Sequence, residues 1–412
     1  MNKTVAIIGT LDTKGPEFAF LKAQVERLGC GTLVIDVGVL GQPSFPPDVR
    51  AEQVAAAAGV ELSRLRSQGD RGAALDAMAR GAVSVVTRLY EEGRFHGVIS
   101  MGGGGGTGIA AGAMRALPVG VPKVMVSTMA SAGDARTYVG TTDLLMFPSI
   151  VDVSGLNRIS RTVFTNAAAA ICGMVAAGDQ VEDAIPGAFS DRPLIAATMF
   201  GNTTRAVDQA RAVMEAAGYE VLVFHATGTG GKTMEMLIQQ GHFAGVLDIT
   251  TTEWADEICG GVLSAGPSRL EAAAAAGIPQ VVVPGCVDMC NFWAPETVPA
   301  RYKDRMFNHW NPNVTLMRTT PEENARMGAA FASRLNAARG PTAVYVPLRG
   351  FSELDAPGKP FWWPEADAAF LEALRKGLRP GIPVQLLDHN VNDPEFARAL
   401  STCLLDLLKV EG

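Results

Sequence analysis

Five consecutive glycines, Gly102, Gly103, Gly104, Gly105 and Gly106, followed by Thr107 and Gly108, constrain this chain more than any other stretch. They follow an apolar run at 97–101 and precede small residues at 109–115. The pattern predicts a short buried strand, a loop without side chains, and then a helix. Glycine loses more backbone freedom on folding than any other residue, so a run of five is costly. A tight turn between strand and helix needs only one or two. The rest are explained where something must lie directly against the backbone. A phosphate is the usual candidate, because bare N–H groups and a helix N-terminus supply donors and a favourable dipole.

The first hundred residues supply a frame for that loop. Residues 4–9 read as a buried strand and 10–15 as a loop. A helix starts at Pro16 and stops at Gly29, and a second strand at 32–35 ends at Asp36. This is the layout of a mononucleotide-binding half, although the first loop is not G-x-G-x-x-G. Thr10, Thr13 and Lys14 then flank the phosphates, with Lys14 as a point charge, and Asp36 is a candidate for a ribose hydroxyl. Asp12 is a candidate magnesium ligand, since magnesium takes one or two carboxylates plus phosphate oxygens. Its plainer reading is a loop or helix-cap aspartate. A further strand at 121–126 leads into a Ser/Thr-rich loop at 127–134. In an open parallel sheet these strand-end loops converge on the carboxyl edge, where ligands bind.

At 412 residues the chain exceeds one typical domain. The expected class is α/β: two Rossmann-like domains with mostly parallel sheets, 1–185 and 186–412, joined by a linker at 178–192. Hydrophobic residues make up 48% and charged residues 19%, which argues against extensive disorder. A formal charge of −7 gives no support for nucleic-acid or anionic-membrane binding, so any phosphate site must be local. The N-terminus reads directly into a strand rather than a signal peptide, and no run approaches transmembrane length. The six cysteines sit in apolar contexts without zinc spacing, as reduced core thiols of a cytoplasmic protein do.

The second half restarts the pattern: a strand at 194–199, a helix at 204–217 and a strand at 221–225. Residues 217–225 line up with 28–36, through duplication or through the shared physics of α/β units. Ala226-Thr227-Gly228-Thr229-Gly230-Gly231-Lys232-Thr233 has the spacing of a phosphate-binding P-loop, with Asp248 as a magnesium-side aspartate. A second ligand-facing loop is the stronger reading of that stretch. Helices are expected at 267–277 and 394–408. Residues 301–318 concentrate polar groups in irregular sequence. Arg301, Arg305, Arg318 and Arg349 are available to clamp an anion. His225, His309, Glu253 and Asp288 are available as acid–base groups. Together they outline an alternative, an enzyme acting on a small carboxylated or phosphorylated metabolite in a cleft between the domains. Taken singly, each arginine reads more plainly as a surface ion pair and each histidine as a packing residue.

Four motifs in order, at 9–15, 102–108, 226–231 and Gly350-Phe351-Ser352-Glu353-Leu354-Asp355 with Pro360-Phe361, resemble one family. It is the family of the N-terminal ATP-binding domain of the tomato mosaic virus resistance protein, with many uncharacterised bacterial members. The resemblance covers nearly all of the chain. It implies two Rossmann-like domains, ATP binding and a homodimer; Mg2+ as a companion of ATP rests on the reading of Asp12 above. Plant members carry a further TIM-barrel-like domain, so the resemblance also implies a separate TIM-barrel-like partner protein.

Overall fold

The computed structural model describes residues 3–131, 135–178 and 192–409. Two compact units divide the chain, Met1–Phe189 and Ser190–Gly412. The expected linker at 178–192 and the boundary at 185 fall almost wholly outside the described residues.

The first unit is a five-stranded, all-parallel sheet of β1 (Thr4–Gly9), β2 (Gly31–Asp36), β3 (Gly97–Gly102), β4 (Lys123–Ser127) and β5 (Leu145–Pro148). The strand order is β2-β1-β3-β4-β5. Apart from the partly exposed edge strand β5, its strands are buried on both faces, hence the continuous apolar runs in the sequence. Successive side chains of β1 go to opposite cores. Ala6 and Ile8 pack against α2 (Ala51–Ala57), α4 (Arg71–Glu91) and α5 (Gly104–Arg115). Val5 and Ile7 pack against α1 (Gly15–Arg27) and α7 (Arg158–Ala177).

Contrary to the expectation that no segment reaches membrane-spanning length, α7 is long and apolar enough to cross a membrane by length and composition. Its Phe164, Ala168, Ile171 and Val175 are fully or almost fully buried in the core beneath the sheet, and that packing accounts for its apolarity.

The second unit repeats the winding. Its six parallel strands run β14-β13-β9-β8-β6-β7, where β6 is Leu194–Met199, β7 Glu220–His225, β8 Gly245–Thr250, β9 Gln280–Gly285, β13 Thr342–Pro347 and β14 Val384–Leu387. In both sheets the first strand lies between the second and the third, so chain order reverses at that point. Two departures from the sequence reading occur here. The stretch at 301–318, read as irregular, contains β11 (Phe307–Asn311) and β12 (Val314–Arg318), which with β10 (Met289–Phe292) form an antiparallel sheet. Its edge strand β11 is half-exposed and polar, which hides the strand pattern. The helix expected at 267–277 is shortened to Ala272–Ala276. The preceding residues are diverted because Leu270 takes a positive φ of 77°.

Candidate functional site

The glycine run is not the free loop its composition suggests. β3 extends through Gly102 and α5 begins at Gly104, so Gly103 alone is the connection. Gly104, Gly105 and Gly106 form the first helical turn, and Gly103 as N-cap supplies no side chain to it. First-turn amides have no intrahelical acceptor, so these N–H groups point out of the helix end. None of these glycines has a positive φ.

The local packing explains some glycines and not others. A Cβ on Gly9 would lie 2.5 Å from the Phe18 ring, and one on Gly102 would lie 3.2 Å from the Gly106 backbone. On Gly103, Gly104 and Gly106 the nearest atoms would be 3.8–3.9 Å away, ordinary contact distance. Among the described residues, no atom keeps those three positions bare. Each glycine gives up about 1 kcal/mol of helix stability relative to alanine.

They open onto a cavity of about 610 Å³ at the carboxyl edge of the sheet, beside the β1/β3 reversal. The loop after β1 supplies one wall through Thr10, Asp12, Thr13 and Lys14. Val37, Val39 and Leu40 follow β2, and Leu65, Leu75 and Ile109 complete an apolar side. The open α/β winding places ligands at this reversal.

The structure sorts the expected site residues into two groups. Thr10, Thr13, Lys14 and Gly103 to Gly106 line the cavity. Thr13 Oγ1 donates to Thr10 Oγ1 at 3.0 Å. The Lys14 ammonium donates to the Val153 carbonyl, which occupies one of its three N–H groups.

Asp36, Thr107 and Asp12 require correction. Asp36 is 3% exposed and lies off the cavity wall; its Oδ1 accepts from Leu11 N at 3.1 Å and Gly38 N at 2.9 Å. Burial pushes its carboxyl pKa up. It clamps two loops and does not reach a ribose. Thr107 is fully buried, its hydroxyl 2.7 Å from Ser127 Oγ, tying α5 to the end of β4. Asp12 lines the cavity, but its Oδ2 accepts from Leu40 N and Gly41 N at 2.7 and 3.1 Å. Its Oδ1 is buried without a partner, 2.6 Å from where a Gly38 Cβ would stand. Neither oxygen is presented to a metal, Oδ1 because it is buried and Oδ2 because two backbone N–H groups already donate to it. Magnesium coordination by Asp12 therefore does not fit.

Sequence reading missed the wall from α3 (Leu62–Gln68) and the start of α4. Arg66 donates to the Val39 and Gly41 carbonyls at 2.7 and 2.9 Å, holding the post-β2 loop in place. Arg71, the first residue of α4, lines the cavity and makes no hydrogen bond or ion pair among the described residues. A basic residue directly after a helix-capping aspartate is the only sequence signal that could have singled it out.

In the second unit, the P-loop-like stretch already holds an anion. Glu253 Oε1 accepts from Gly228 N at 2.8 Å and Gly231 N at 3.0 Å. A Cβ on Gly231 would collide with that carboxylate at 2.2 Å. The glycine here makes room for Glu253, and Lys232 is exposed. Glu253 is in turn held by Arg269 Nε at 2.7 Å. The candidate clamp residues are likewise committed. Arg318 is buried against Asp355 and Asp367 at 3.4 and 2.8 Å, and Arg305 pairs with Glu323 at 2.6 Å. Arg301 donates to the Cys259 carbonyl, and exposed Arg349 lies 3.6 Å from Asp388. Asp288 Oδ2 accepts from Ser352 at 2.8 Å. His225 stacks on Phe200, and His309 is exposed on β11. Two of these candidates do come together: Arg318 Nη1 donates to the Asp288 carbonyl at 3.5 Å, and Ser352 and Asp355 join them in a buried cluster.

Asp256 gives the second unit a pH dependence. Burial is the chief cause that pushes its carboxyl from 3.8 up to about 7, against hydrogen bonds from Asn291 and Leu263. Between pH 4 and 7 the folded state keeps a proton that the unfolded state has lost. Stability from this group is complete at low pH and declines as pH rises through that window. Asp256→Asn is expected to flatten the decline between pH 4 and 7 in urea unfolding; parallel curves for variant and wild type would contradict it.

Relatives match this architecture over its whole length. The chain matches the uncharacterised protein family UPF0261, its N-terminal domain over residues 3–180 and its C-terminal domain over 192–408. A UPF0261 protein of Clostridium tetani is 48% identical over 99% of this chain and 100% of its own. One of Rhizobium meliloti is 44% identical over 98% of this chain and 99% of its own. The ToMV resistance protein Tm-1(GCR237) of Solanum lycopersicum is 37% identical over 98% of this chain, which spans 55% of that protein. Among solved structures, a UDP-N-acetylglucosamine 2-epimerase from Rickettsia bellii covers the full chain at 10% identity with a TM-score of 0.22, too low to bear on activity. With both of its domains matched in order, this chain belongs to the UPF0261 family.

Proposed function

We propose that the first unit binds ATP, with the phosphates on the amides of Gly104, Gly105 and Gly106. The observation that carries this reading is the bare helix end. Gly103, Gly104 and Gly106, which no described atom keeps bare, open onto a cavity at the sheet's reversal point. Helix N-termini hold phosphate through free N–H groups and the helix dipole. The cavity adds cationic groups, Arg71 and Lys14, and an apolar side on Val37, Val39 and Leu65 suited to a base. The resemblance described above supports the choice of ATP. Homodimer formation and a TIM-barrel-like partner belong to the same proposal and rest on that resemblance alone.

Calorimetric titration with ATP tests the reading. One saturable site is expected, and absence of binding would end it. Arg71→Ala is expected to weaken binding by about 1.5–3 kcal/mol, the size of a hydrogen bond to a charged partner. Lys232→Ala should leave affinity unchanged, because the loop before it already holds Glu253. The opposite outcome for this pair moves the nucleotide to the second unit.

A further inference from the structure

A second hollow, of about 380 Å³, lies at the carboxyl ends of β4 and β5. Its walls carry Ser127, Thr128, Ser131, Ser149 and Asp152, with Ile150 and Val151 as the apolar part. Two of these hydroxyls are structural. Ser127 Oγ meets Thr107 at 2.7 Å and accepts from Met129 N at 2.9 Å, and Ser149 Oγ donates to the Val151 carbonyl at 2.7 Å. Thr128 Oγ1 and the exposed Asp152 carboxylate make no hydrogen bond or ion pair among the described residues.

The hollow adjoins the glycine turn. A Cβ on Gly103 would come 3.8 Å from Thr128 Oγ1, and one on Gly104 would come 3.9 Å from Met129 Sδ. Thr128 and Met129 thus flank the turn on the side of this second hollow. Ile150 takes a φ of 65° although it is β-branched, and it stays exposed at this site. Such a conformation is strained and persists where the surroundings over-determine it.

The chemistry of the lining selects the ligand class. Among the described residues no Lys or Arg lines the hollow and the charged group on its wall is a carboxylate, so an anion is disfavoured. A free carboxylate accepts from hydroxyls, and a free threonine hydroxyl both donates and accepts. The two aliphatic side chains suit the carbon face of a compact molecule. We propose that this hollow is a second binding site, for a small uncharged polyol, adjoining the phosphate end of the nucleotide site. Its nearness to a nucleotide rests on the proposed function above; its chemistry does not.

Saturation-transfer NMR on the full chain tests it, with D-sorbitol, D-ribose and myo-inositol as probes and D-gluconate as the anionic counterpart of sorbitol. At least one polyol is expected to receive saturation, and gluconate none. The transfer should fall at least fivefold in Asp152→Ala, whose exposed side chain makes no contact the fold needs. It should persist in Arg71→Ala, whose residue lines the first cavity and not this hollow. No transfer to any polyol, equal transfer to gluconate, or transfer unchanged in Asp152→Ala overturns the proposal. Because ATP titration is read separately, a failed nucleotide site and a failed polyol site are distinguishable.

Discussion

Arg269→Met is expected to destabilise the chain by about 3–5 kcal/mol, the cost of leaving buried charge without its partner. Arg269 is 1% exposed and is the cation shared by three carboxylates. Its two terminal nitrogens reach Asp248 at 2.5 and 2.7 Å, Nε reaches Glu253 at 2.7 Å, and Nη1 reaches Glu235 at 3.1 Å. Removing the guanidinium leaves Asp248, Glu253 and Glu235 to face each other in low dielectric. Glu253→Gln should be milder, since the amide oxygen still accepts from Gly228 and Gly231. Urea unfolding of the two variants orders them. An Arg269→Met protein as stable as the wild type would show that the network carries no stability.

Gly104→Val is expected to abolish measurable ATP binding while leaving stability almost unchanged. Its Cβ would meet only Met129 Sδ at 3.9 Å, so the fold accommodates it. Valine is also a better helix former than glycine, by a few tenths of a kcal/mol. The branched side chain would instead stand over the helix end, where a phosphate has to approach the backbone. Calorimetry gives the affinity and a thermal melt the stability. A folded variant with wild-type affinity would make the glycine turn structural.

Strands β1 to β4 of the first unit were legible because buried parallel strands are short apolar runs cut off by glycine or polar residues, as at Gly9, Asp36 and Gly102; the short, partly exposed edge strand β5 was not. The convergence of the β1 and β3 loops followed from that pattern and the parallel winding. The fate of individual side chains did not follow. Asp36 stands where a ribose ligand would, yet whether a carboxylate serves a ligand or its own backbone depends on loops that fold over it. Glu253 fills a nest formed 22 to 25 residues earlier, and nothing local in either segment announces the other. Arg71 and Leu65 reach the cavity only because α3 and α4 pack beside α5. The helix start at Gly104 was also illegible, since five glycines carry no propensity for one and the turn is set by its place between β3 and the core.

The account's central claim is that phosphate contacts the first-turn amides of α5. Amide NMR spectra of 15N-glycine-labelled protein, recorded with and without ATP, test it most directly. The expected result is a change at Gly103, Gly104, Gly105 and Gly106, with Gly228 and Gly231 unmoved because their N–H groups already donate to Glu253. Shifts at Gly228 and Gly231 with none at Gly104 to Gly106 would contradict it.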